Sequence, residues 1–142
     1  METKWNLLPV CSKEAENLDI ILACDGAASV GQVGHDVAVK LTKEQQGARM
    51  CCLSAVAAES KPHVGIAQKA RRLIVINGCA NKCASVILQK LNIEPSYEIV
   101  IAKEGVDKIP TLDFDPQDVG RIARKIAADV AKLPERKLAG VN

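Results

Sequence analysis

The chain has 142 residues, 48% of them hydrophobic and 25% charged, the size and balance of one ordinary domain able to close its own core. A net charge of +2, from 19 basic and 17 acidic residues spread along the chain, offers no one-signed field for nucleic acid or anionic lipid, and one Trp, one Tyr and one Phe are too few for a base-stacking platform. With no apolar run of eighteen residues and no basic-then-apolar leader over residues 1–9, membrane insertion and secretion are disfavoured and a cytoplasmic protein is expected.

Residues 1–17 read as an N-terminal extension, 18–133 as a single α/β domain, and 134–142 as a polar, frayed tail. The first strand is expected over residues 18–24, apolar at every position but Asp19, as a strand buried on both faces should nearly be. Asp25-Gly26 turns the chain. Ser29 then caps a helix running to about Gln45, with Val30, Val33, Val37 and Leu41 on one face and Gly47 as its stop. A short second strand follows over residues 49–53, then a loop to Pro62, then a short helix over 62–71 with proline in its first turn. The third strand, 73–76, is central by its apolarity. Asn77-Gly78 leads into a helix over about 79–91, and residues 97–102 form a fourth strand. Asp115 caps a last helix that begins near Pro116 and turns Val119, Ile122, Ile126 and Val130 toward the sheet.

Strands alternating with helices define an α/β class: a three-layer, Rossmann-like or flavodoxin-like open parallel sheet of about four strands with helices on both faces. In the order 2-1-3-4 with right-handed crossovers, the carboxyl ends of the first three strands are neighbours, and open α/β sheets bind ligands there.

Six cysteines fall on this scheme: Cys11, Cys24, Cys51, Cys52, Cys79 and Cys83. Disulfide frameworks belong to short secreted chains without a core, so thiols held for packing, metal binding or redox chemistry are expected. Cys24 ends the first strand, Cys51 and Cys52 the second, and Cys79 follows the third. Cys79 and Cys83 sit four apart, one turn apart if the helix starts at Cys79, within the usual gap of paired zinc ligands. Helix N-termini aimed at this edge would lower thiol pKa values. A tetrahedral thiolate site for Zn²⁺ is the reading that follows, with Cu(I) or an iron–sulfur cluster as softer competitors. Adjacent strand residues face opposite ways, so only one of Cys51 and Cys52 readily reaches the cluster.

The segments Cys24-Asp-Gly-Ala-Ala-Ser-Val-Gly-Gln32, Met50-Cys-Cys-Leu53 and Val75-Ile-Asn-Gly-Cys-Ala-Asn-Lys-Cys83 resemble the three signatures of the DGC-domain family of zinc-binding proteins. The resemblance spans about residues 18–130. It implies a four-cysteine metal site of Cys24, Cys52, Cys79 and Cys83, with Cys79 the cysteine of the naming motif and Cys52 favoured over Cys51 because it precedes Leu53. Asn77 stands where the family has Asp, Asp25 where it often has Ser, and Ala80 where it often has Pro. All three departures spare the thiols, while Asn77 argues against a catalytic acid at that position.

Plainer readings compete. A free cysteine is most often a small buried hydrophobe, which suits Cys11 and Cys51; independent packing choices would not place Cys24, Cys79 and Cys83 on one edge. His35 reads as a surface or core residue on the first helix. His63 is a further candidate ligand at the cysteine edge. Gly26, Gly31 and Gly34 fit neither a dinucleotide fingerprint nor a Walker loop, and Val30-Gly31 occupies the place where a cysteine-dependent phosphatase keeps its arginine. The alternative to a metal-binding module for sensing, delivery or a metal-dependent activity is a thiol redox or sulfur-transfer enzyme using Cys79 or Cys24, with Cys83 as resolving partner. The CxxxC spacing departs from the CxxC of thioredoxin-like enzymes.

Overall fold

A computed structural model describes residues 4–136. Four parallel strands form one sheet in the order β2-β1-β3-β4: β1 is Asp19–Ala23, β2 Ala48–Met50, β3 Arg72–Asn77 and β4 Tyr97–Val100. The helices are α1 Cys11–Glu14, α2 Ser29–Glu44, α3 Leu53–Ala57, α4 Lys61–Lys69, α5 Cys83–Lys90 and α6 Pro116–Ala131, with 3-10 turns at Ala15–Asn17 and Ile101–Lys103.

Alternation along the central strands divides the core in two. Ile21, Ala23, Ile74 and Ile76 face α2 and α6, meeting Val33, Val37, Leu41, Ile122 and Ile126. Ile20, Leu22, Leu73 and Val75 face the opposite way, onto Cys11, Ala15, Leu53, Val56, Ile66, Ala67 and Leu88. Burying each large aliphatic side chain contributes about 1.5–3 kcal/mol, so two filled layers over a parallel sheet account for the fold without further constraint. Asp115 Oδ1 accepts the Gln117 N–H at 2.9 Å and starts α6 as its sequence suggests.

Local boundaries differ from expectation where a side chain has a better partner. Ser29 does not cap α2. Ala28 is the cap residue, without a side-chain bond, while Ser29 Oγ donates to Asp107 O at 2.6 Å and accepts the Ile109 N–H at 2.9 Å. The second strand ends at Met50 and the expected loop contains α3, because Leu53 and Val56, three apart, bury together on the second core layer. Residues 11–17 pack into that same layer through Cys11 and Ala15. Of the C-terminal segment, Arg136 N–H donates to Arg71 O at 2.8 Å and its guanidinium to Ala67 O at 2.9 Å, anchoring residues 134–136; residues 137–142 lie outside the described residues, as do 1–3. No helix among the described residues is long and apolar enough to cross a membrane.

Candidate thiol site at the carboxyl edge

All six cysteines are free thiols. The parallel ladder pairs Ile21 with Met50 and with Ile74, and Ala23 with Ile76, so β1, β2 and β3 reach the carboxyl edge almost together. Cys24 N–H donates to Ile76 O at 3.0 Å and Cys51 N–H to Ile21 O at 2.9 Å. Cys24 therefore stands one residue beyond the last paired residue of β1. Cys52 is the cap residue of α3, Cys79 follows β3 by two residues, and Cys83 opens α5.

The connection after Cys24 is held from α2. Asp25 sits in the left-handed region at φ 55°, which costs about 1 kcal/mol for a residue with a side chain. Its carboxylate is gripped by His35 Nδ1 at 3.0 Å, and Gln32 Nε2 donates to Gly26 O at 3.0 Å. Three glycines press the β1 and β3 connections together: a Cβ on Gly31 would lie 2.6 Å from Gly26 N, and one on Gly78 3.3 Å from Gly31 N. A Cβ on Gly26 would lie 3.2 Å from Cys24 Sγ, so glycine there leaves the sulfur uncovered on that side.

Cys79 and Cys83 are arranged differently from the helical pair their spacing suggests. Lys82 takes a left-handed conformation, φ 51° and ψ 44°, which an α-helix cannot contain, and its N–H closes a turn onto Cys79 O at 3.0 Å. The helix starts at Cys83, whose thiol is exposed. Cys79 finds donors elsewhere. The Asn81 backbone N–H and the Lys108 ammonium, with Nζ 3.5 Å from Sγ, hold its thiol below the ordinary cysteine range, against the opposing effect of burial. Lys108 comes from the loop between β4 and α6 that Ser29 ties down at Asp107 and Ile109.

Removing that ammonium should therefore raise the Cys79 pKa. Lys108→Gln is expected to slow iodoacetamide alkylation of Cys79 at neutral pH and to leave its rate unchanged at high pH, where both forms are thiolate. Peptide-resolved alkylation across pH checks this, and an unmoved profile would separate Lys108 from the thiol.

Cys51 faces away from the edge. It packs on the second core layer beside Cys11; burial, opposed by the Cys52 N–H and reinforced by the Cys11 thiol, pushes its pKa up to about 11. Cys52 is exposed. His63 shares a cavity with Cys11, Cys51 and Cys52, and its Nδ1 is engaged at 2.9 Å with Ser60 Oγ. Asn77 is fully buried and turned to α5, donating to Ser85 Oγ at 2.7 Å and accepting the Ser85 N–H at 3.2 Å. An ionised carboxylate there could not donate, so the amide ties β3 to α5.

Topology thus brings Cys24, Cys52, Cys79 and Cys83 to one edge without drawing them into contact. Among the described residues, no three His, Cys, Asp or Glu side chains stand close enough to share a metal ion. The donors themselves fit a soft cation: four accessible or half-accessible sulfurs, one of them held toward thiolate.

Sheet and edge together define a small cysteine-rich α/β domain of the open parallel kind. More particularly, the chain belongs to the DGC-domain family, which matches residues 20–126. It is similar to the Anaerobic and virulence modulator AnvM of Pseudomonas aeruginosa PAO1, with 26% identity over 105 residues, 74% of this chain and 79% of that protein. No solved structure matches the chain.

Proposed function

We propose that this protein is a thiolate metal-binding domain that takes one Zn²⁺ through Cys24, Cys52, Cys79 and Cys83 and uses it for sensing or delivery in a reducing, cytoplasmic setting. The observation that supports this reading is the convergence of four thiols from three separate strand-to-helix connections on one sheet edge. Zinc suits a set of sulfurs alone and needs no redox partner. Closing the four onto one ion requires movement in the 51–53 and 79–82 connections, while the sheet can stay as it is. The relative's name, a modulator, accords with a regulatory output over a purely structural one.

Protein purified without added metal is expected to carry about one equivalent of zinc by elemental analysis, and chelation should expose about four slow thiols. Metal-free protein in which Cys24, Cys52, Cys79 and Cys83 all react freely would sink the proposal. A colourless zinc sample excludes the iron–sulfur competitor, which would be brown and bleach on reduction. Cys52→Ser should weaken metal binding far more than Cys51→Ser, because Cys51 is committed to the core beside Cys11.

One contact favours a second reading. The Lys108 ammonium on Cys79 suits a nucleophilic thiolate, which in a metal-free protein would serve redox or sulfur-transfer chemistry with Cys83 as resolving partner.

A further inference from the structure

Beside Cys52, the N-terminal segment brings a second pair of sulfurs together that the four-thiol reading does not use. Arg49 Nε donates to Pro9 O at 3.0 Å, which fastens residue 9 to β2, and Cys11, two residues on, packs beside Cys51. Cys11 lies in the second core layer and Cys51 packs against it, and both line one cavity of about 310 Å³ walled by apolar Leu8, Val10, Pro62 and Ile66 and also by Arg49, His63 and the exposed Cys52. Cys11 is 7% exposed and Cys51 half-buried, so a reagent entering the cavity meets Cys51 before Cys11.

We propose that Cys11 and Cys51 are a reversible dithiol–disulfide pair, oxidised by low-molecular-weight disulfides that enter this cavity, and that the bond locks the N-terminal segment onto β2. The exchange takes two balanced steps. The Cys51 thiol, which burial keeps largely protonated at neutral pH, first gives its proton to solvent, and its thiolate attacks the small disulfide, forming a mixed disulfide and releasing one small thiolate, which takes up a proton. Cys11, deprotonated in turn, attacks the Cys51 sulfur, closing the Cys11–Cys51 bond and releasing the second small thiolate to be protonated likewise. Two protein thiols are oxidised, one external disulfide is reduced to two thiols, and no metal or further electron acceptor takes part. The segment that becomes locked carries Trp5, Leu7, Leu8 and Val10, all exposed apolar side chains. The oxidation state of this pair therefore sets how freely an apolar arm can leave the domain.

Full-length protein, freshly reduced, is incubated with glutathione disulfide, trapped with acid and analysed by intact mass and non-reducing peptide mapping. The expected product has lost two hydrogens, carries no glutathione, links the Cys11 and Cys51 peptides, and melts at a higher temperature than the reduced form because the loop from 11 to 51 is closed in the unfolded chain. Cys11→Ala should instead trap glutathione on Cys51, and Cys83→Ala should form the same disulfide as the natural chain. A disulfide joining any other cysteines, or glutathione adducts on Cys52 and Cys83 with Cys11 and Cys51 still reduced, would overturn the proposal. Metal content measured on the same samples keeps this result separate from the zinc reading, since neither member of the pair is one of the four proposed ligands.

Discussion

Gly31→Ala should lower the melting temperature by about 6–10 °C, whereas the superficially similar Gly65→Ala should raise it by about 2–3 °C. Both glycines lie within helices, where alanine is intrinsically better by about 1 kcal/mol. At Gly65 nothing lies within 4 Å of the new Cβ, so the backbone benefit is realised. At Gly31 the new Cβ would meet Gly26 N at 2.6 Å and Gly26 C at 2.7 Å. Those are backbone atoms and cannot swing aside as a side-chain end would. Overpacking of this kind costs about 1–3 kcal/mol or more beyond the helix gain. Relief comes only by pushing the 25–26 turn outward, which carries Cys24 with it. Thermal unfolding followed by circular dichroism measures the first effect and zinc titration of the folded variant the second. Equal melting temperatures for the two variants would show that the three-glycine contact has slack that the structure denies.

The sheet order was legible because the strand signal and the topology rules act on the whole segment. Residues 20–24 and 73–76 are apolar at every position, as strands buried on both faces are, and the 2-1-3-4 order then follows from helices filling both sides. The same logic correctly put Cys24, Cys52 and Cys79 at one edge. Cys79 and Cys83 were less readable. Spacing of four suggests a helix, but Lys82 adopts a left-handed conformation that neither its identity nor its neighbours signal, and α5 begins one turn later than expected.

Partners supplied from far along the chain were invisible for a different reason. Lys108 reaches Cys79 across 29 residues, and Ser29 reaches the 107–109 loop across nearly 80. Such contacts depend on where β4 lies and how its loop folds back, which no local pattern encodes. His35 likewise looked like an ordinary helix residue, since its ten-residue separation from Asp25 has no helical meaning. Asn77 could be noticed as a departure from the family pattern; its pairing with Ser85 required the start of α5 to be known.

Replacing both Cys79 and Cys83 with serine is expected to abolish zinc binding while leaving near-native far-UV circular dichroism. Neither sulfur lies in the buried core: Cys83 is exposed, and Cys79 only flanks the α2/α6 layer. The residues that hold the sheet, such as Ile20, Ile21, Leu22, Leu73 and Ile76, are fully buried and untouched by the change. A zinc finger unfolds without its metal because it has almost no core; this chain has two filled layers, so metal adds to a fold that already stands. What the metal would add is local. It would join connections that are otherwise fixed by few bonds, those of His35 and Gln32 on residues 25–26 and the turn from Cys79 to Lys82. Metal-loaded natural protein should therefore melt at a higher temperature than the double variant, and amide exchange should quicken mainly in residues 25–29 and 77–83 while the four strands stay protected. If the double variant were unfolded at room temperature, the metal would be holding the domain together, and sensing or delivery, which needs a fold that survives metal loss, would have to be given up.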